Sequence, residues 1–157
     1  MVKIFPGVIA VVSIVIWPAW AAPRLKPQSP TVEEELKRMQ GTWRYLSQSI
    51  GGLELNEKDR DRIWVEIEGE RLTKTGAAGG GRRYKVVIDP VASPRRIDLV
   101  SIDHPSGKTF THTGIYEWDG EFLRMCFDNT GVERPKEFKA LEGRENIYLS
   151  VLKRRDK

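Results

Sequence analysis

The chain has 157 residues, with hydrophobic residues at 39% and charged residues at 31%. That is the composition of one globular domain and excludes a disordered chain. A Cys count of 1 and a His count of 2 exclude a disulfide framework and leave few ligands for a metal, and the net charge of +4 is spread among interspersed acids and bases, so neither a cofactor nor a nucleic-acid partner is expected.

The first element in chain order is an export signal. Lys3 supplies a short positive segment, residues 4–17 are almost wholly apolar, and Ala19-Trp20-Ala21 is an A-x-A cleavage site. Pro6 and Pro18 break the apolar run, which is short for a membrane span of ~20 residues. Residues 1–21 are therefore read as a cleaved signal peptide, with an uncleaved anchor as the alternative. The mature protein would be periplasmic or extracellular, with no stable membrane span. Residues 22–30 carry Pro23, Pro27 and Pro30 and read as an extended linker, and 31–157 as the folded domain.

Thr31-Val32-Glu33-Glu34 is a capping box, with Thr three residues before Glu. Val32, Leu36 and Met39 then recur at helical spacing, which predicts a helix over 32–40 ended by Gly41. From Thr42 the pattern alternates. Strands are predicted at 42–50, 63–68, 71–75, 82–88, 96–102, 110–118, 121–127, 136–140 and 147–153. Gly69-Glu70 and Asp119-Gly120 have the chemistry of two-residue hairpin turns. No interval is long enough for a βαβ crossover. The fold class is thus mainly β: an antiparallel up-and-down barrel of about eight strands preceded by one short helix, since closure removes exposed edges. A sandwich is the alternative.

A turn at Asp119-Gly120 pairs Trp118 with Glu121, Tyr116 with Leu123, and Gly114 with Met125. Alternation then puts Phe110, His112, Tyr116, Trp118, Leu123, Met125 and Phe127 inside, with Ile63, Val65, Ile67 and Leu72 on other walls. Cys126 falls on the outer face, with Phe122 and Ile115 beneath the N-terminal helix.

Gly41-Thr42-Trp43 after a short helix resembles the G-x-W signature of lipocalins. Five further segments are similar, in order, to the planctomycete uncharacterised domain, a lipocalin-like family of exported proteins: 35–43, Ile115-Tyr116-Glu117-Trp118-Asp119-Gly120, Leu123-Arg124-Met125-Cys126-Phe127, Glu133-Arg134-Pro135, and Val151-Leu152-Lys153-Arg154. The resemblance implies a calycin-type barrel whose Trp43 packs across the closed end under a basic side chain of the last strand, Lys153 or Arg154. It implies no activity.

The search for chemistry is largely negative. Gly107-Lys108-Thr109 lacks the Gly five positions earlier that a phosphate loop needs, and no G-x-S-x-G or H-E-x-x-H occurs. Asp98, Asp103, Asp128 and Glu133 offer carboxylates without an accompanying nucleophile or orienting group. His112, beside the space left by Gly114, is either a hydrogen-bonded core histidine or a polar anchor in a cavity near Tyr116. Three functions follow. The chain is a non-enzymatic binding module for a small apolar or amphipathic molecule held by His112, Tyr116, Leu123, Met125, Phe127, Ile63, Val65 and Ile67. Or it is an envelope protein with a filled barrel that binds a protein or cell-wall polymer. Or it is a hydrolase using mouth carboxylates. The sequence ranks them in that order.

Overall fold

The computed structural model describes residues 29–76, 80–102 and 104–155. The signal peptide, nearly all of the linker, Asp103 and the middle of the Gly76-to-Gly81 loop lie outside them.

Helix α1 (Val32–Met39) begins where the capping box places it: the Thr31 side chain accepts from the Glu34 backbone N–H, and the Glu34 carboxylate accepts from Thr31 N. These bonds hold the Glu34 carboxyl below its usual range. Ten-residue strand β1 (Gly41–Ile50) follows at once. The chain continues through β2 (Leu53–Glu54), a one-turn helix α2 (Glu57–Arg60), β3 (Trp64–Glu68), β4 (Arg71–Thr75), β5 (Gly81–Asp89), β6 (Arg95–Ile102), β7 (Thr111–Asp119), β8 (Phe122–Asp128) and β9 (Ile147–Arg154).

Each strand pairs antiparallel with its neighbour from β3 to β9; β1 pairs with both β3 and β9. Eight strands thereby close a lipocalin-like up-and-down barrel, and β2 adds a short ninth to β1 beyond the ring. Residues of alternating register meet inside: Val65 and Ile67, Leu72, Tyr84 and Val86, Ile97 and Leu99, Leu123 and Met125.

The structure corrects several expectations. The β7–β8 turn is centred on Gly120-Glu121, so Asp119 pairs with Phe122, Trp118 with Leu123 and Tyr116 with Met125. The positive φ of +61° sits at Gly120 as the first turn residue, just as Gly69 (φ +59°) leads the β3–β4 turn. The pairing shifts by two residues, which leaves every side chain on the face expected of it. Phe110 lies outside β7 and is exposed, and Ile63 precedes β3 as a half-buried residue packed on the core.

Residues 136–140 form no strand. Because β8 pairs directly with β9 and β9 with β1, the barrel offers them no free edge. Instead, 129–146 is a long connection lying on the outer face, where Phe138 packs on a second small core of Ile115, Cys126 and Ile147. This connection, not the N-terminal helix, covers Cys126. Its thiol contacts the Lys139 carbonyl at 3.8 Å and is raised in pKa by burial, which disfavours the disulfide chemistry of a free surface cysteine. Arg134 ties the connection down, donating to the Gly114 carbonyl at 2.6 Å and to Asp98 Oδ2 at 2.9 Å. The β2 and α2 elements were not foreseen; both are too short to leave a periodic signal.

Candidate functional site

Strand direction gives the barrel two unlike ends. At one end lie the start of β1, the β3–β4 turn and the β7–β8 turn, and α1 spans them. The Gln40 side chain donates to the Gly69 carbonyl and accepts from Gly69 N at 2.6 Å; Arg38 donates to the Gly120 carbonyl at 3.1 Å. Beneath the helix, Trp43 is fully buried and donates its indole N–H to the Met39 carbonyl at 2.9 Å. Of the two bases expected over Trp43, Arg154 is the one in place. Its guanidinium carbon is 4.5 Å from the ring centroid, and it donates to the carbonyls of Arg38 (2.7 Å) and Gln40. Lys153 is one residue out of phase and faces outward, paired with Glu121 at 3.1 Å.

Glu35 is the closed-end residue that sequence reasoning missed. It is 3% exposed and accepts from Tyr116 Oη–H (3.1 Å), Trp118 Nε1–H (2.9 Å) and Arg95 (3.3 Å). The signal was present: Glu35 is four residues before Met39, on the inward face of α1. Burial and the Glu35 carboxylate together push the Tyr116 hydroxyl pKa up. Tyr116, Leu123 and Ile67 thus belong to the closed-end core and do not line the cavity at the other end of the barrel, and neither does Ile63.

The other end is open, and a cavity of about 540 Å³ enters the barrel there. That volume is within the usual range for a small-molecule site. Four of the eight candidate residues line it: His112, Met125, Phe127 and Val65. With Leu72 and Leu99 they make an apolar floor. The space expected beside Gly114 is occupied: a Cβ there would overlap the Phe127 ring and stand 2.7 Å from the Cys126 carbonyl oxygen. Gly114 therefore seats Phe127, which in turn shapes the floor.

The upper walls are polar, which the alternation argument did not capture. Gln48, Ser150, Tyr148 and Asn129 line one side, an uncharged hydrogen-bonding wall on β1, β9 and the end of β8. Asn129 donates to the Tyr148 hydroxyl at 3.2 Å. Across from them stand Lys74 on β4 and Arg82 on β5, directly opposed in the ladder. Lys74 Nζ sits 5.5 Å from the Tyr45 ring centroid, and His112 meets Tyr84 edge-on at 5.4 Å. Burial, then Arg82, lowers the Lys74 pKa. Burial, then Arg82 and Lys74, lowers that of His112, with Asp128 opposing weakly.

The described carboxylates do not converge. Asp98 is held by Arg134, and Glu133 pairs with Arg144 at 3.5 Å. Asp128 is enclosed by Thr130 and Asn146 on the outer side; burial would raise its pKa, but these bonds and one from Gly131 hold it lower. Among the described residues no three His, Cys, Asp or Glu side chains gather as metal ligands, and no helix is long and apolar enough to cross a membrane.

Fold and site together define a class: a lipocalin-like barrel, plugged by a helix at one end and open to a mixed polar and apolar cavity at the other. Comparison with protein-family models, with curated proteins and with solved structures returns no match.

Proposed function

We propose that the chain is an exported binding module of the lipocalin-like kind its G-x-W segment resembles, and that it holds one small amphipathic molecule in the open end of its barrel. The cavity carries this reading. Eight-stranded barrels are either filled by side chains or hollow enough for one ligand, and this one is filled only in its closed half. An apolar floor of Val65, Leu99, Met125 and Phe127 supplies desolvation, at about 25 cal/mol per Å² of apolar area buried. The polar walls orient the ligand, a role shared by His112, Tyr148 and Gln48. A filled barrel acting only through its outer surface, and a hydrolase with converging carboxylates, both fit this geometry less well.

The test is a fluorescence titration of the full chain with Nile red, a neutral polarity-sensitive dye. Saturable wild-type binding that Met125→Trp abolishes, in a variant with an unchanged melting curve, supports the cavity. Equal binding by both, or none by the wild type, overturns it. N-terminal sequencing of the secreted form checks export and should begin near Ala22.

A further inference from the structure

The charges that line the cavity do not balance, whereas several basic side chains elsewhere on the barrel have acidic partners. On the outer surface Lys85 pairs with Glu70, Arg124 with Glu117, Arg134 with Asp98 and Lys153 with Glu121; at the plugged end Arg95 pairs with Glu35. Lys74 and Arg82, which both line the cavity, have no such acidic partner among the described residues. They are direct cross-strand partners pointing into one cavity, where like charges destabilise a ladder. Among the described residues no Asp or Glu lines that cavity, and none is paired with either cation. The nearest acid influencing the site, Asp128, spends its oxygens on Thr130 and Asn146.

A third group reports the same field. The His112 imidazole lies on a different strand, β7, and its protonation is opposed by Arg82 and Lys74 as well as by burial. Lys74 is itself harder to protonate because it is desolvated beside Arg82. The mouth is thus positive, with Lys74 half-buried and Arg82 exposed, and among the described residues it holds no counter-charge. A cation pair of this kind is complementary to an anion: Arg presents a planar fork and Lys a point charge to the oxygens of one head group. On the same two strands Leu72 and Tyr84 stand two residues nearer the plugged end than the cations, so the anion would be one end of a longer molecule.

We propose that the ligand is an amphipathic anion, with a carboxylate or phosphate head clamped between Lys74 and Arg82 at the mouth and an apolar body resting on Val65, Leu99, Met125 and Phe127. This rests on the binding-module reading above and adds the charge and direction of the ligand. Gln48, Ser150 and Tyr148, on the uncharged wall, donate to the remaining head-group oxygens.

Displacement of Nile red from the full chain tests this with four probes that share one tail: decanoate, decyl phosphate, decanol and decylamine. At neutral pH and fixed ionic strength both anions should displace the dye at concentrations at least tenfold below decanol, and decylamine should be the weakest. Whichever anion is tighter identifies the head group. Lys74→Met and Arg82→Gln should each weaken the anions about tenfold or more, the loss of one charge-assisted hydrogen bond, and leave decanol unchanged. Lys74→Arg should keep the anion preference. Removing Lys74 also relieves repulsion, so Lys74→Met should melt no lower than wild type, which separates lost recognition from lost folding. If decanol matches the anions, or the preference survives in the Lys74→Met/Arg82→Gln double variant, the anion assignment is overturned. If Nile red binds and none of the four probes displaces it, the assignment is likewise overturned while the cavity reading stands. If Nile red itself does not bind, the cavity reading falls and this inference with it.

Discussion

Replacing Glu35 by Ala is the sharpest test of how the barrel is closed. The carboxylate is 3% exposed and is the shared acceptor for Tyr116 Oη–H, Trp118 Nε1–H and Arg95. Truncation leaves the hydroxyl and the indole N–H without an acceptor, at about 1–3 kcal/mol for each buried group. The Arg95 side chain is 33% exposed and can turn to water, so its share is small. The sum is about 3–4 kcal/mol, at the lower end of what breaking a buried ion pair costs. For a chain of 157 residues, 1 kcal/mol moves the melting temperature by roughly 2–4 °C, so the loss should be roughly 6–16 °C. Glu35→Gln keeps an acceptor oxygen and should lose less than half of that. Urea and thermal unfolding followed by near-UV circular dichroism measure both, because Tyr116, Trp118 and Trp43 all sit at this end. A double-mutant cycle with Tyr116→Phe should show coupling above 0.5 kcal/mol, as expected for groups in one network. A Glu35→Ala protein within 1 kcal/mol of wild type would mean that α1 is not held through this carboxylate.

Two further outcomes concern the open half. Gly114→Ala should destabilise by about 1–3 kcal/mol, because its Cβ overlaps the Phe127 ring and abuts the Cys126 carbonyl; Phe127→Leu in the same chain should recover part of it, and a neutral Gly114→Ala in urea titration would refute the close approach. The His112 pKa is held low in the folded state, whereas an unfolded histidine protonates near ~6.5. The unfolded chain therefore takes up that proton first, so stability falls as the pH drops through about 6.5 and levels off below the folded-state value. The urea midpoint should decline less between pH 7.5 and 5.5 in His112→Gln than in wild type; identical slopes would place His112 in water.

Most of the architecture was legible because it rests on local chemistry. The capping box set the start of α1, alternation set the strands, and the Gly69-Glu70 turn closed the β3–β4 hairpin. The register of β7 and β8 was misjudged by two residues because Asp119-Gly120 reads as a turn, whereas the backbone needs its positive φ at the first loop position, which Gly120 occupies. The 136–140 segment has strand-like composition, but pairing needs an open edge, and closure of β9 on β1 removed it. Only half of the candidate site was readable. Alternation states which residues face inward, not how far along the barrel they lie, so Tyr116, Leu123 and Ile67 were grouped with a cavity they lie below. The same limit hid Lys74 and Arg82: inward-facing positions near a barrel mouth tolerate charge, and distance from the plug appears only once all eight strands are in register.

The two ends of the barrel solve opposite problems with the same kinds of residue. Both set basic side chains beside aromatic rings. At the plugged end Arg154 lies over Trp43 and its N–H groups are spent on helix carbonyls, while Arg95 and two aromatic donors converge on Glu35. At the mouth Lys74 lies beside Tyr45, with Arg82 opposite it in the ladder and, among the described residues, no acid paired with either of them. A single carboxylate on the facing wall, at Gln48 or Ser150, would neutralise the pair and stabilise the empty barrel through the same interaction that Glu35 provides below. Those positions hold uncharged hydrogen-bonding groups instead. Left uncompensated, the like-charged pair is a source of instability in the free protein that an anionic guest removes. Stability alone would not build this mouth; complementarity to a negatively charged molecule would.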